Sequence, residues 1–200
     1  MNLSSTLNAE IIRIFATILL PGAVVLLAFA VVGCAFQFES AASAIAWITS
    51  QLDDAKKQST VATVMFFILA VGGGIIAETL GARFEYHVCD SRAKKKHKEF
   101  SDIWNKYLRL KFDKDPIGQS YLRYLHLHLK FELNFACALM VLAASILILD
   151  WRHADLTVHW ALYVSLIVSA ILLLLESISS AMNLHAVRQE LVNEYAKVVA

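Results

Sequence analysis

Four long apolar runs, separated by charged segments, limit what this chain can fold into. They cover Ile11 to Phe36, Val61 to Leu80, Phe135 to Leu149 and Val158 to Leu175, and Leu129 to Leu133 extends the third run at its start. A helix needs about 20 apolar residues to cross a hydrocarbon core of roughly 30 Å, and lipid admits only helices and closed barrels. The runs predict an all-α polytopic membrane protein with four transmembrane helices and helical cytoplasmic extensions.

The composition agrees with a membrane protein. Of the 200 residues, 58% are hydrophobic and 18% charged, whereas soluble domains carry roughly 25% charged residues. This balance excludes a disordered tail and an ordinary nucleic-acid-binding domain, so we expect no direct binding to nucleic acid. The first run lacks a cleavage site of small residues at the right distance, which favours a retained helix over a removed signal peptide.

Lys and Arg residues fall mostly on one side of the predicted spans. The side that holds both termini and the segment between spans two and three carries 15 of the 18, and the other side carries 3. Because positively charged loops stay in the cytoplasm, we expect a multi-pass membrane protein with cytoplasmic N and C termini.

The chain therefore divides into four parts. Residues 1–82 hold the N-terminal cytoplasmic end, transmembrane helices 1 and 2 and an external interfacial helix, which is predicted from the helical spacing of Ala41, Ala44, Ile45, Ile48 and Leu52 beside Trp47. Residues 83–129 form a basic cytoplasmic helical segment, 130–176 hold transmembrane helices 3 and 4, and 177–200 form a C-terminal cytoplasmic helix.

The cytoplasmic parts carry apolar faces that predict a compact cap. In the central segment, Trp104 and Tyr107 share a helix face before a break at Pro116 and Gly118. Apolar residues at steps of three and four form a stripe on the C-terminal helix, which must be buried either on the central helices or between subunits. The stripe consists of Leu184, Val187, Leu191 and Tyr195, continued by Val198.

Small residues recur at steps of three and four on the second span, at Ala70, Gly73, Gly74, Ala77 and Gly81. Such a surface lets membrane helices approach closely. The contact is either within the monomer or between subunits, and a glycine hinge is a further alternative.

Ionisable residues lie near the cytoplasmic boundary of the spans, at Arg13, Glu78, Glu132 and Glu176. Charges close to hydrocarbon usually extend to the interface or pair, so we expect Arg13 to pair with Glu78 or Glu176. In a symmetric oligomer the carboxylates could instead form a ring that favours cations at a pore mouth.

A basic cluster follows the second span and comprises Arg92, Lys94, Lys95, Lys96 and Lys98. At this position each charge contributes about 1 kcal/mol of attraction to anionic headgroups, so membrane lipids are the expected partners. An acidic cytosolic partner, or nucleic acid near the membrane, is the alternative. Pro21, within the first span, cannot donate to the carbonyl of Thr17 and predicts a kink there.

The sequence holds little that indicates catalysis. Arg92 with His97 and Arg123 with His128 have the Arg-x4-His spacing that resembles the active motif of HEPN ribonucleases. The residue after each arginine, however, is not the polar residue usual in that family. No zinc-ligand spacing, nucleophile elbow or phosphate loop occurs. We therefore expect no catalytic, cofactor-binding or metal-binding residues and no enzyme activity.

In length and in its layout of four spans around a charged cytoplasmic centre, the chain resembles the membrane subunit of the Kiwa anti-phage systems. That subunit is associated with a cytosolic DNA-binding partner, so the resemblance implies a membrane-bound role in bacterial defence beside a soluble protein. Our leading hypothesis is a non-enzymatic inner-membrane scaffold or sensor, a homo-oligomer whose cytoplasmic helices recruit a soluble partner. The alternative is a regulated ion pore that depolarises the membrane.

Overall fold

The structure is a computed structural model that describes residues 11–38, 43, 46, 50, 59–96, 100–109, 117–152 and 160–199. Within these ranges the regular elements are helical and no strand occurs. The predicted interfacial helix around Trp47 falls mainly on residues outside these ranges.

Five helices follow one another along the described chain. Helix α1 covers Ile11–Gln37 and includes a π-helical turn at Phe15–Leu19. Helix α2 is α-helical over Ser59–Phe84, π-helical over Glu85–Asp90 and α-helical again over Ser91–Lys96. Helices α3, α4 and α5 cover Phe100–Arg109, Ile117–Arg152 and Trp160–Val199.

Helices α1, α2, α4 and α5 are each long and apolar enough to cross a membrane. The predicted all-α polytopic fold is therefore confirmed. Two of them extend well past the apolar runs, since α4 begins at Ile117 and α5 continues to Val199. The large apolar side chains on their outer faces are exposed, as lipid-facing residues must be; Phe66, Phe67 and Leu172 are examples.

Helix α4 is the centre of the bundle. In its most apolar stretch 56% of the residues are buried, compared with 11% in the corresponding stretch of α5. One residue from each of α1, α2 and α4 meets in a small cluster of Val25, Ala77 and Ala138. Helix α5 packs along α4, with its outer surface left open.

A second core lies towards the predicted cytoplasmic end and joins α4 to α5. Leu122, Leu125, Leu129 and Leu133 of α4 pack against Leu184 and Leu191 of α5. Phe84, Tyr107 and Val187 add to this core from α2, α3 and α5, in that order. We call this core, with α3 and the helix ends around it, the cytoplasmic cap after its predicted orientation. It buries Leu184 and Leu191 of the predicted stripe, and Val187 packs against it.

Candidate functional site

Pro21 changes the hydrogen bonding of α1, and α4 compensates for the change. Just before the proline, the N–H of Leu20 donates to the carbonyl of Phe15, which is the pattern of a π-helical turn. Pro21 has no N–H to donate to Thr17. Instead, Asn134 Nδ2 donates to the buried carbonyl of Thr17 at 2.9 Å. A side chain from the central helix thus satisfies a backbone group that the proline leaves open.

The small-residue run on α2 lies against α1 within the same chain. A Cβ added at Gly73 would lie 2.7 Å from the carbonyl oxygen of Gly22, and one added at Gly22 would lie 2.6 Å from the nitrogen of Gly74. Backbone therefore packs directly on backbone at this crossing. At Gly81 the same space is taken by the Asn134 side chain. All members of the run are buried in the chain, namely Ala70, Gly73, Gly74, Ala77 and Gly81.

The boundary charges lie in different environments. Glu132 is buried on α4 with 1% of its side chain exposed, and its Oε1 is 2.8 Å from Nδ1 of His128 one turn earlier. Glu78 and Glu176 are exposed on α2 and α5. Among the described residues neither of them forms an ion pair with Arg13, contrary to the expected pairing.

An ion pair that the sequence does not indicate joins α2 to α4. Lys130 Nζ lies 2.6 Å from Oε2 of Glu85, and both side chains are partly buried. Glu85 begins the π-helical turn of α2, so the pair holds that turn against the central helix. Sequence spacing could not reveal it, because the two residues are 45 positions apart.

The described residues of the basic cluster lie on the last turns of α2. Arg92, Lys94 and Lys95 are exposed, and Lys94 Nζ lies 5.5 Å from the centre of the Tyr86 ring and 5.9 Å from that of Phe100. These distances are typical of cation–π contacts. The side chains of Lys96 and Lys98 lie outside those that the structure describes.

Contacts between α3 and α5 close the cytoplasmic cap. The guanidinium of Arg188 lies 4.1 Å from the centre of the Trp104 ring, and the Phe100 ring stacks on His185 at 4.9 Å. Tyr107 packs on the leucine core, as do Leu184, Val187 and Leu191. The side chain of Tyr195, predicted for the same stripe, is not among those described. Phe100, His185 and Arg188 are cap residues that sequence analysis missed, because no repeat spacing distinguishes them.

An aromatic surface on the start of α4 also escaped prediction. Tyr121 and Tyr124 are 50% and 57% exposed, and their rings stack with centres 6.4 Å apart. The ring of His128 lies 5.9 Å from that of Tyr124. These residues lie about 10 to 20 Å along the helix before the third apolar run. The letters around them alternate as in a strand, but the segment is helical, in agreement with the all-α prediction.

Within the described ranges, no three His, Cys, Asp or Glu side chains come close enough to hold a metal ion. His128 is engaged with Glu132, and Arg92 is exposed at the end of α2. The chain matches no protein-family model, no curated protein and no solved structure.

Proposed function

We propose that this chain is a non-enzymatic membrane scaffold or sensor that works as a homo-oligomer in the bacterial inner membrane and recruits a soluble protein through its cytoplasmic helices. The observation that supports this most strongly is the cytoplasmic cap. Its leucine core lies at the start of the third apolar run and after the end of the fourth and joins α4 to α5, while α3 closes over α5. A surface held by its own core can bind a partner in a fixed geometry, which a scaffold requires.

The partner surface that we assign is the exposed pair of Tyr121 and Tyr124. Tyrosines are enriched among the residues that dominate protein interfaces, because they add contact area at low cost in side-chain entropy. Both side chains are at least half exposed although they lie on a helix anchored in the cap core. A cytosolic protein is the partner that this surface fits best.

Further observations support the membrane location, the orientation and the defence role that we propose. The excess of Lys and Arg on one side of the spans favours cytoplasmic termini, and exposed Arg92, Lys94 and Lys95 can bind anionic lipid headgroups. The resemblance in length and topology to the Kiwa membrane subunit supports a role in anti-phage defence.

The test uses the full chain in lipid nanodiscs as bait for soluble proteins of its host. The variant Tyr121→Ser with Tyr124→Ser should lose at least about tenfold of the captured partner, since two exposed anchors are removed without touching the core. The control is Glu190→Ser with Asn193→Ser, two exposed positions on the cytoplasmic end of α5, which should capture as the wild type does. Equal capture by both variants would count against the assigned surface, and no specific capture by the wild type would count against the scaffold.

A regulated ion pore is the second candidate, and the exposure of Glu78 and Glu176 favours it. Several copies would be needed, because α1, α2 and α4 pack directly against one another in the described part of the chain. If this function holds, Glu78→Gln with Glu176→Gln should change the cation selectivity of flux from proteoliposomes. Wild-type vesicles that show no flux above empty ones, with or without membrane stress, would contradict it.

A further inference from the structure

The outer face of α2 carries an open groove that the packing of the chain does not use. A shallow cavity lies along this face, lined by Ile75, Glu78, Thr79, Ala82 and Arg83, with Tyr86 and His87 at its end. Among them, Ile75, Thr79, Ala82 and Tyr86 are spaced by four, three and four residues, which is the pattern of a helix face that receives another helix. The buried glycine run lies on other sides of the same helix.

The centre of this face is narrow and exposed. Thr79 and Ala82 have small side chains and both are exposed, and Ile75 is 55% exposed one turn earlier. Three residues before Ile75, a Cβ added at Gly72 would meet nothing within 4 Å. A second helix can therefore approach closely over several turns without displacing any of the described residues.

Two opposite charges flank the groove. With about 100° of rotation per residue, Glu78 and Arg83 lie roughly 70° to either side of the line through Thr79 and Ala82. Being five residues apart, they do not face each other on one helix, because only residues three or four apart do so. Within the described residues neither of them forms an ion pair. Charges left open so close to hydrocarbon are costly and call for a partner.

Copies of a membrane protein insert in the same direction, so the α2 helices of two copies must run parallel. In a parallel helix pair, a residue on one flank meets the residue five positions later on the opposite flank of the other helix. Glu78 and Arg83 have this spacing and opposite charge. Two copies that join through α2 therefore form two ion pairs, each between Glu78 of one copy and Arg83 of the other.

We propose that the groove of Ile75, Glu78, Thr79, Ala82 and Arg83 is a self-association surface that binds the α2 helix of a second copy in parallel. This inference deepens the proposed function, because it names the surface that makes the scaffold a homo-oligomer. It assigns self-association to a different face of α2 from the glycine run, which is buried within the chain.

A charge exchange tests the surface directly. Two variants, Glu78→Arg and Arg83→Glu, are expressed together with different tags and purified in lipid nanodiscs through one tag. In a pair of two identical variants, positions 78 and 83 that face each other across the groove carry the same charge. In a mixed pair they carry opposite charges, so both ion pairs are restored. We expect mixed pairs to exceed random mixing by about five- to tenfold, and each variant alone to pair less than the wild type. Random mixing would overturn the proposal.

Cysteine cross-linking provides a second test that needs no charge change. In a chain whose native cysteines are replaced by alanine, Thr79→Cys should form a disulfide between copies in native membranes under mild oxidation. Leu80→Cys is the control, since it is also exposed, lies at nearly the same depth and is turned about 100° away. Equal cross-linking at both positions, or none at Thr79, would overturn the parallel contact. Partner capture through Tyr121 and Tyr124 is measured on the same charge variants, so random mixing with capture retained refutes this surface and leaves the proposed function standing.

Discussion

The direct backbone contact between α1 and α2 predicts a large effect for a single added methyl group. In Gly22→Ala the new Cβ would lie 2.6 Å from the nitrogen of Gly74 and closer still to the carbonyl oxygen of Ala70. Ordinary van der Waals contact begins near 3.4 Å. Since both neighbours are backbone atoms, α1 and α2 must move apart by at least about 0.8 Å, a gap that loses a quarter to a half of the dispersion energy of the atoms involved.

We expect Gly22→Ala to destabilise the protein by about 2 to 3 kcal/mol, even though alanine favours the helix by roughly 1 kcal/mol over glycine. For a chain of this size, this corresponds to a melting temperature about 5 to 10 °C lower in thermal unfolding followed by circular dichroism in detergent. Gly33→Ala is the matched control on the same helix, because its Cβ would meet nothing within 4 Å. It should leave the melting temperature unchanged or raise it. If Gly22→Ala has the same melting temperature as the Gly33→Ala control, α1 and α2 do not pack backbone to backbone.

Two other substitutions test the interior. Asn134→Leu leaves the carbonyl of Thr17 without its donor and should lower the free energy of unfolding by about 1 to 3 kcal/mol. Adding Pro21→Ala supplies a backbone N–H and should recover part of that loss. Strictly additive effects of the two substitutions would show that Asn134 and Pro21 are not coupled. Leu129→Ala leaves a cavity in the cap core and should lower the free energy of unfolding by about 2 to 5 kcal/mol in the same melting assay. The control Leu147→Ala, at a position that is 42% exposed, should lower it by less than roughly 1 kcal/mol. Similar losses at the two leucines would argue against a cap core.

The sequence predicted the features that depend on composition and local spacing. The lengths of the apolar runs are enough to identify four spans, because backbone that crosses lipid must satisfy its own hydrogen bonds as a helix or a closed barrel. The stripe of Leu184, Val187 and Leu191 predicted burial by its spacing, but spacing could not say what covers it. The structure provides that answer in Leu122, Leu125 and their neighbours on α4.

Contacts between distant segments could not be predicted from one sequence. Pro21 indicates that the carbonyl of Thr17 lacks its donor, yet nothing in the spacing points to Asn134, which lies 117 positions after Thr17. The same is true of Lys130 and Glu85. The small residues on α2 predicted a close helix contact but not which helix makes it, since every side of a membrane helix meets either protein or lipid of similar polarity.

Helix α5 is one uninterrupted helix of 40 residues, and its two halves are held very differently. Its apolar stretch is only 11% buried, so lipid surrounds most of it, while its far end is fixed in the leucine core through Leu184 and Leu191. At about 1.5 Å per residue the helix is roughly 60 Å long, and a tilt of about 5° in the bilayer would displace the end of a 30 Å arm beyond the apolar stretch by about 3 Å. A change in bilayer thickness or lateral pressure that tilts the lipid-facing half of α5 would therefore shift the end against which α3 packs.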